Sequence, residues 1–271
     1  MTRAEMDLAI EWAANEGWNP GINDAELFYA TDPPGFLIGE FEGRPVASIS
    51  GVNYGSGFAF AGLYMVVPQL RGSGFGLRMS RAIMKHLGAR NVGLDGVVEQ
   101  QANYMKSGFR IAHRNIRYQG TGGGSESRHA TVALDSVDLA QVVALDSRVF
   151  PAPRADFVRR WNAQPQAYGR AVVRDGQLMG YGVMRKCRRG YKIGPLTALD
   201  EAAAEAVFNA LSAQAPQEPI FLDVPEVNPR AAALATRHGM TPAFETARMY
   251  NRAIPSLPFD WIYGICTFEL G

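Results

Sequence analysis

A glycine-rich turn between an apolar strand and a helix is the segment that most constrains the fold of this chain. It runs from Tyr64 to Gly76 with the sequence Tyr-Met-Val-Val-Pro-Gln-Leu-Arg-Gly-Ser-Gly-Phe-Gly. The apolar residues up to Val67 predict a strand, Pro68 breaks it, and helical spacing follows. A helix N-terminus carries unpaired N–H groups and a partial positive charge, and glycines let the backbone close around phosphate oxygens. The segment therefore predicts a strand, turn and helix that hold a pyrophosphate.

Two common nucleotide sites do not fit the spacing of this turn. A Walker A loop places a lysine directly after its last glycine, whereas Leu77 and Arg78 follow Gly76 here. A dinucleotide fingerprint has the spacing Gly-x-Gly-x-x-Gly, with an acidic ribose partner about twenty residues later. The acid at about that distance, Asp95, lies inside the next predicted strand rather than at its end. The turn is therefore either a phosphate loop of another kind or a glycine-rich turn without function.

The composition is that of an ordinary soluble globular protein. Of the 271 residues, 47% are hydrophobic and 20% are charged, and the net charge of +1 argues against a nucleic-acid surface or a polybasic membrane anchor. The start of the chain is charged, and no apolar run approaches the ~18 residues of a membrane span. We expect a cytoplasmic protein with reduced thiols. The cysteines and histidines lack metal-site spacing and predict no metal; they are Cys187, Cys266, His86, His113, His129 and His238.

The stretch from Gly120 to Ser127 has the composition of a flexible connection and divides the chain near its middle. Before it, the hydrophobic pattern predicts two helices, three strands, a helix, a strand, a helix and a strand. The first helix begins with a capping box formed by Thr2 and Glu5. A similar order recurs after the connection. The chain is therefore predicted to hold two α/β (α+β) domains, residues 1–120 and 129–271, joined by a linker of residues 121–128.

The second half lacks the phosphate turn. At the corresponding strand end it has the sequence Gly-Pro-Leu-Thr-Ala-Leu from Gly194, and the next helix begins with Asp200 and Glu201. These carboxylates would occupy the positive end of the helix and repel a pyrophosphate. We therefore expect one cofactor site, in the first half.

Three segments resemble the GNAT acetyltransferases. The most specific is the break at Val67-Pro68 followed by Arg71-x-x-Gly74-x-Gly76, which is similar to the acyl-CoA motif of that family. The others are residues 101–109, Gln-Ala-Asn-Tyr-Met-Lys-Ser-Gly-Phe, and the helix connector at residues 16–21, Glu-Gly-Trp-Asn-Pro-Gly. The whole chain resembles a tandem GNAT protein with a catalytic first domain and a degenerate second one. The resemblance implies, in each domain, a mixed and mostly antiparallel central sheet flanked by helices.

The resemblance also implies direct transfer of an acetyl group from acetyl-CoA to an amine in a ternary complex. Met65 and Val66 would pair with the pantetheine arm, and an N–H near Val66 would polarise the thioester carbonyl. Tyr104 would protonate the leaving thiolate, or else pack on the sheet with its hydroxyl at the rim. Asn103 either touches the pantetheine or is an exposed helix residue. Backbone N–H groups of the turn would hold the pyrophosphate, namely those of Arg71, Gly72, Ser73, Gly74, Phe75 and Gly76.

The general base and the acceptor pocket are not evident from the sequence. Some GNAT members carry a glutamate on the strand that corresponds to Phe58–Tyr64, which has no acid here. Glu99 either acts through a water or is a solvated carboxylate at a helix start. Trp18 and Asn19 are expected to line the acceptor pocket, and the alternative is that they pack and turn the helix connection.

The second half is expected to shape or cover the acceptor pocket. Asp223 and Glu226 would attract a cationic acceptor if that domain closes over the site, although a structural role for Asp223 is preferred. GNAT domains normally begin with a strand, whereas this chain begins at a helix cap, so either the true start lies upstream or another segment fills that edge. The run from Trp261 to Glu269 is strand-like and is predicted to end the second sheet and join the halves.

Together these features predict an N-acetyltransferase that acts on a primary amine of a small molecule or amino-acid-like acceptor. We expect a monomer or homodimer, with no metal and with no nucleic-acid or membrane partner. Two other functions stay open. One is a non-catalytic acyl-CoA-binding sensor, and the other is a protein-modifying acetyltransferase, which would need an open groove.

Overall fold

The computed structural model of the protein describes residues 1–124 and 131–271. Residues 125–130 lie outside this description. They comprise the end of the predicted linker and the start of the predicted second domain. The helices are α1 (Arg3–Asn15), α2 (Asp24–Thr31), α3 (Phe75–Leu87), α4 (Gln101–Lys106), α5 (Leu139–Val149), α6 (Ala155–Asn162), α7 (Glu201–Ser212) and α8 (Pro229–Arg237). The strands are β1 (Phe36–Phe41), β2 (Arg44–Tyr54), β3 (Phe58–Val66), β4 (Asn91–Val97), β5 (Arg110–Thr121), β6 (Val132–Ala133), β7 (Ala167–Arg174), β8 (Gln177–Lys186), β9 (Tyr191–Ala198), β10 (Pro219–Pro225), β11 (Thr241–Tyr250) and β12 (Ile262–Gly264).

Local sequence chemistry sets the ends of the helices. The predicted capping box of α1 is confirmed, since the Thr2 side chain accepts from the Glu5 N–H and the Glu5 side chain accepts from the Thr2 N–H. Helix α3 ends at Leu87, because Gly88 adopts a φ of +61° and stops it. Its apolar side, Met79, Ile83 and Leu87, is buried against the sheet.

The two halves exchange their last strands within one twelve-stranded sheet. The main strand order is β1-β2-β3-β4-β11-β5-β10-β9-β8-β7-β6, with β12 paired to β9 off this path. Strand β11 of the second half therefore lies between β4 and β5 of the first half, and β5 lies between β11 and β10. Strand β1 is an edge of the sheet, and within residues 1–124 and 131–271 no strand other than β2 pairs with it, although the Met1 ammonium donates to the Phe36 carbonyl at 3.0 Å. Of the two alternatives for the missing first strand, replacement by another strand is therefore not observed in these residues.

Each half contains a parallel strand pair that opens at one end. Strands β3 and β4 pair from Phe58 opposite Asn91 to Ala61 opposite Leu94, and then separate. Strands β9 and β10 pair only from Tyr191 to Ile193. Each pair is connected by a helix, α3 in the first half and α7 in the second, as parallel strands require. The sheet therefore has two splits, one in each half.

The C-terminal segment, residues 262–271, fills the split of the second half and then crosses to the first. Strand β12 pairs with β9, and the Ile265 N–H donates to the Asp223 carbonyl on β10. Farther on, the Tyr54 hydroxyl donates to the Leu270 carbonyl. The predicted joining of the halves is confirmed. Only Ile262–Gly264 forms a strand, however, because the segment then leaves the sheet plane toward the first half.

Buried ion pairs also hold the halves together. Arg117 on β5 makes a two-point pair with Asp223 on β10, with N–O distances of 2.6 and 2.8 Å. The preferred structural role of Asp223 is confirmed by this pair. Similar pairs join Asp95 to Arg248 and Asp24 to Arg185. Breaking one such pair leaves a buried charge without its partner, so these contacts fix the relative position of the halves.

No helix in the described part of the chain is both long and apolar enough to cross a membrane.

Candidate active site

A cavity of about 420 Å³ opens at the split between β3 and β4. One side of it is formed by α3 and α4, and the other by the α1–α2 connector, β11 and the C-terminal segment. Its lining includes Leu77, Ser80 and Met84 on α3 and Asn103, Tyr104 and Ser107 at α4. At the opposite end the lining includes Trp18, Asp95, Phe244, Thr246, Phe268 and Glu269. Both halves of the chain therefore contribute side chains to one cavity.

The glycine-rich turn presents free N–H groups at the start of α3. Gly72 and Gly74 adopt φ values of +81° and +85°, which glycine reaches without strain. The first intrahelical bond runs from the Arg78 N–H to the Gly74 carbonyl, at 3.2 Å. The N–H groups of Phe75 and Gly76 therefore precede the helix ladder and are free for an anion. The first turn contains no acidic residue and no side-chain cap.

The side chain of Arg71 points to the end of α1 and makes contacts outside the glycine-rich turn. Its Nε donates to the Val66 carbonyl at 3.0 Å, and its guanidinium pairs with Glu16 at the end of α1. The side chain is half exposed. It therefore ties the end of β3 to the start of the α1–α2 connector, while its backbone remains part of the turn.

A β-bulge shapes the strand edge that faces the split. Ile49 on β2 lies opposite two residues of β3, Leu63 and Tyr64, and Leu63 has a φ of +45°. Beyond the bulge, the Val67 N–H donates to the Val46 carbonyl on β2 at 2.9 Å. Because successive N–H groups of a strand point to opposite sides, the Val66 N–H points away from β2 and toward the split. Met65, in contrast, has its side chain buried in the core.

Tyr104 lies in the cavity wall where the sequence places the proton donor. Its ring packs against Gly96 on β4, where a Cβ atom would lie 2.9 Å from the ring, and against Phe109. Burial raises the pKa of its phenol well above the ordinary value, and the nearby Tyr64 raises the pKa further. The phenol is therefore protonated at neutral pH. Asn103 also lines the cavity, and its amide donates to Gln100 at 2.9 Å. Glu99 is exposed and does not line the cavity.

The α1–α2 connector is held by residues of both halves. The carbonyl of Trp18 accepts from Arg117 at 2.9 Å and from Lys192 at 3.0 Å, which holds the indole against the cavity. Asn19 was expected in the acceptor pocket, but it does not line the cavity. Its amide donates to the Arg189 carbonyl and accepts from the Arg189 N–H. The position of Asn19 is therefore that of a structural link between the connector and the β8–β9 turn.

The second half lacks a comparable anion site at α7. The Asp200 carboxylate caps α7 by accepting from the Ala203 N–H at 2.8 Å, and it pairs with Arg174. This arrangement agrees with the prediction that carboxylates occupy this helix start. In addition, the C-terminal segment occupies the second split. The second half therefore has neither the free helix start nor the open strand edge of the first.

The carboxylate of Glu269 is the feature of this cavity that sequence reasoning missed. The side chain is 4% exposed and lines the cavity, and its Oε2 accepts a hydrogen bond from the Thr267 hydroxyl. Asp95 also lines the cavity, but Arg248 and Asn115 occupy its oxygens. Glu226, which was expected to attract the acceptor, pairs instead with Arg114 outside the cavity. Only the path of the C-terminal segment reveals Glu269, because it lies 165 positions after Tyr104 in the sequence.

No group of three or more histidine, cysteine, aspartate or glutamate side chains that could hold a metal ion occurs in residues 1–124 and 131–271. Both cysteines, Cys187 and Cys266, are buried free thiols.

Comparisons with known proteins agree with this architecture. Profiles described as "Acetyltransferase (GNAT) family" and "Acetyltransferase (GNAT) domain" match residues 5–109 and 142–264. Holothin acyltransferase from Pseudoalteromonas sp. (strain SANK 73390) is 32% identical over 271 residues, which cover 98% of this chain and 92% of that protein.

Two solved structures show the same fold. An acetyltransferase candidate from Pyrococcus horikoshii superposes with a TM-score of 0.86 at 20% identity, over 100% of this chain and 94% of that one. A tandem GNAT protein from the clavulanic acid biosynthesis pathway superposes with a TM-score of 0.60 at 16% identity, over 88% and 89%. The chain therefore belongs to the GNAT acyltransferase family and consists of two GNAT domains in tandem.

Proposed function

We propose that the protein is an N-acetyltransferase that moves an acetyl group from acetyl-CoA to a primary amine of a small molecule or amino-acid-like acceptor, by direct transfer in a ternary complex. The observation that carries the proposal is the single cavity that joins a free strand edge and a protonated phenol to an enclosed end. This end is formed by both halves. We propose a first domain of residues 1–120, a linker of residues 121–128 and a second domain of residues 129–271, and the proposed active site takes residues from both domains.

The residues of the first half fit acyl-CoA in the following way. The pyrophosphate would accept hydrogen bonds from the turn that ends at Gly76, with the positive end of α3 opposing its charge. The pantetheine arm would continue along the edge of β3, where the Val66 N–H points into the split. The same N–H would polarise the thioester carbonyl and stabilise the oxyanion. Asn103 would contact the arm from α4.

The chemistry requires one bond to form and one to break. The amine nitrogen attacks the thioester carbon and loses one proton to a base, the C–S bond breaks, and Tyr104 protonates the leaving thiolate. Tyr104 then regains its proton from solvent. A metal is not part of this scheme. The proposal further includes a cytoplasmic location, a monomer or homodimer, and no nucleic-acid or membrane partner.

The acceptor is proposed to be a small molecule because the acceptor end is enclosed. Its lining includes the bulky side chains of Trp18, Phe244 and Phe268, which leave less room for an extended peptide than for a compact amine. The relative named holothin acyltransferase supports a small-molecule acceptor as well. The acyl group is proposed to be acetyl, and longer acyl groups are alternatives that the same assay measures.

The test is thiol release from acetyl-CoA in the presence of small amines, amino acids and lysine-containing peptides. Propionyl-CoA and butyryl-CoA are included to measure the acyl preference. Turnover with small amines supports the proposal, and faster turnover with peptides favours a protein-modifying enzyme. Measurable acetyl-CoA binding without turnover on any acceptor would favour the sensor.

A further inference from the structure

We propose that Glu269 is the catalytic base of this enzyme, and that it binds the amino group of an acceptor whose flat apolar body lies between Trp18, Phe244 and Phe268. The inference rests on the proposed function and identifies the group that takes the proton of the amine. It also assigns a catalytic task to the second half, because the C-terminal segment carries this glutamate into the cavity of the first half.

The first observation is the bonding of the Glu269 carboxylate. Its Oε2 accepts from the Thr267 hydroxyl, whereas its Oε1 has no hydrogen-bond partner among the described residues. Oε1 is also accessible to solvent. Because a buried carboxylate is costly unless its oxygens are satisfied, a free oxygen at a cavity wall is suited to receive an N–H group of a ligand.

The second observation is the charge around Glu269. The negative charge of Glu269 acts on three nearby cations and favours their charged forms; they are Arg117, Arg185 and Lys192. Arg117 and Arg185 are each neutralised by an aspartate, and the Lys192 ammonium donates to the Trp18 carbonyl. Within the described ranges, no arginine or lysine lies within salt-bridge distance of the Glu269 carboxylate. The carboxylate therefore remains available to the acceptor.

The third observation is a second polar group at the same end of the cavity. Thr246 on β11 lines the cavity and is 1% exposed, and its Oγ1 has no partner in the part of the chain that the structure describes. A buried hydroxyl without a partner is uncommon, so it marks a polar spot in the wall of the cavity. The Thr246 oxygen is sealed from solvent, whereas the Glu269 Oε1 is not, so Glu269 is the group of the two that is open to an amine.

The fourth observation is the aromatic lining. Trp18, Phe244 and Phe268 surround this end of the cavity, and the guanidinium of Arg117 stacks behind both phenylalanines, 5.6 and 4.8 Å from their ring centroids. This stacking holds the two rings in place. Fixed aromatic rings favour a planar apolar group over a flexible chain.

The proton balance follows from the two assigned groups. As the nitrogen attacks the thioester carbon, the C–N bond forms and the nitrogen loses a proton to the Glu269 carboxylate. The C–S bond breaks, and the thiolate takes the proton of Tyr104. The products are an amide and CoA. Glu269 then releases its proton to solvent and Tyr104 takes one up, so both groups return to their starting states.

The main test replaces Glu269→Gln, which keeps the shape of the side chain and its contact with Thr267. We expect kcat to fall about 100-fold or more, as is usual for a lost general base, with the Kd for acetyl-CoA changed less than twofold. Glu269→Asp, which keeps the carboxylate, should recover at least about tenfold over the glutamine variant. Glu218→Gln is the matched control, because this exposed glutamate lies outside the cavity and should leave turnover unchanged.

The pH profile separates a chemical role from a structural one. The acidic limb of kcat, measured at saturating amine, should be absent in Glu269→Gln and present in Glu218→Gln. A glutamine variant with kcat within threefold of the wild type, or an aspartate variant no faster than the glutamine variant, would overturn the inference. If the glutamine variant does not fold, Thr267→Val, which keeps the carboxylate and removes its hydroxyl partner, should shift the acidic limb. An unshifted limb in that variant would also count against Glu269.

The acceptor class is tested by comparing 2-phenylethylamine with n-hexylamine on the wild type. A higher kcat/KM for the planar amine supports the assigned aromatic enclosure, and a clear preference for the chain amine contradicts it. Failure of the proposed function is distinguishable, since the wild type would then bind acetyl-CoA and turn over no acceptor. An active wild type with an equally active glutamine variant would contradict only the role of Glu269.

Discussion

The main-chain carbonyl oxygen of Glu269 lies directly against Gly62, where a Cβ atom would overlap it. Gly62 is the residue of β3 that precedes the bulge at Leu63. The absence of a side chain at this position lets the C-terminal segment pack onto the strand edge next to the split. The close approach of these two residues therefore sets the positions of Phe268 and Glu269 in the cavity.

Gly62→Ala should displace the C-terminal segment. The added methyl group meets backbone atoms, which cannot rotate away, so we expect a loss of about 1 to 3 kcal/mol in the free energy of unfolding. Turnover should fall more than the affinity for acetyl-CoA, because the acceptor end is distorted. Urea denaturation and thiol release measure the two effects. Gly57→Ala is the control, since a Cβ there meets nothing within 4 Å. Equal stability of the two variants would contradict this view of the packing.

Gly74→Ala should weaken acetyl-CoA binding. Gly74 has a φ of +85° directly before α3, and alanine would shift the turn and misplace N–H groups. Loss of one hydrogen bond to a charged group is worth about 1.5 to 3 kcal/mol, which corresponds to a Kd raised about tenfold or more. Gly176→Ala is the matched control, because Gly176 has a φ of +74° and equal open space in the β7–β8 turn of the second half. Calorimetric titration with acetyl-CoA should show normal affinity for the control alone; weak binding by both would refute a local effect.

Tyr104→Phe should slow thiol release while leaving acetyl-CoA binding nearly intact. The substitution removes only the hydroxyl, so the ring still packs against Gly96. A lost general acid lowers kcat about 100-fold or more. Tyr168→Phe, on the exposed surface of β7, is the control. If Tyr104→Phe turns over at the wild-type rate, the alternative of a packed aromatic residue is correct.

His113 should make the protein less stable in mild acid. Burial, together with the smaller effect of the Arg248 charge, lowers its pKa from 6.5 to about 3, while Glu226 opposes the shift. The unfolded state therefore binds a proton below about pH 6.5 that the folded state does not bind until about pH 3. The contribution of His113 to the free energy of unfolding is fully present above pH 6.5 and is lost as the pH falls, by about 1.4 kcal/mol per pH unit.

His113→Phe removes this titration and keeps an aromatic contact with Phe259, whose ring centroid lies 4.8 Å away. Urea denaturation at several pH values between 7 and 4 should give a shallower pH dependence for the variant. Because other groups titrate equally in both proteins, the difference between the two curves reports His113 alone. Parallel curves would show that the histidine does not bear this proton linkage.

Local sequence signals were sufficient for most of the elements, including those around the proposed cofactor turn. The strand β3, the turn with Gly72 and Gly74 and the helix α3 all follow from short-range chemistry. The tandem GNAT organisation, predicted from three short segments, is confirmed by the two matching profiles. The roles of Tyr104 and of the turn residues stay predictions.

The features that local sequence patterns did not predict depend on packing between residues far apart in the sequence. The exchange of β5 and β11 depends on pairing between residues more than a hundred positions apart, such as Thr246 and Val97. Asn19 binds the backbone of Arg189, a partner that no local pattern identifies. Glu269 looked like one residue of a terminal strand, and its place in the cavity depends on the small size of Gly62.

The exchanged strands also set an order of events during synthesis. Domains usually fold from the N-terminal side as the chain leaves the ribosome. Here the nascent first half has all its cofactor residues by Phe109, yet β4 has no partner on its open side until β11 emerges. The acceptor end is completed later still, when residues 262–271 follow. A ribosome that stalls between the halves would release a chain with an unpaired strand edge and no finished pocket, so both solubility and activity belong to the completed polypeptide.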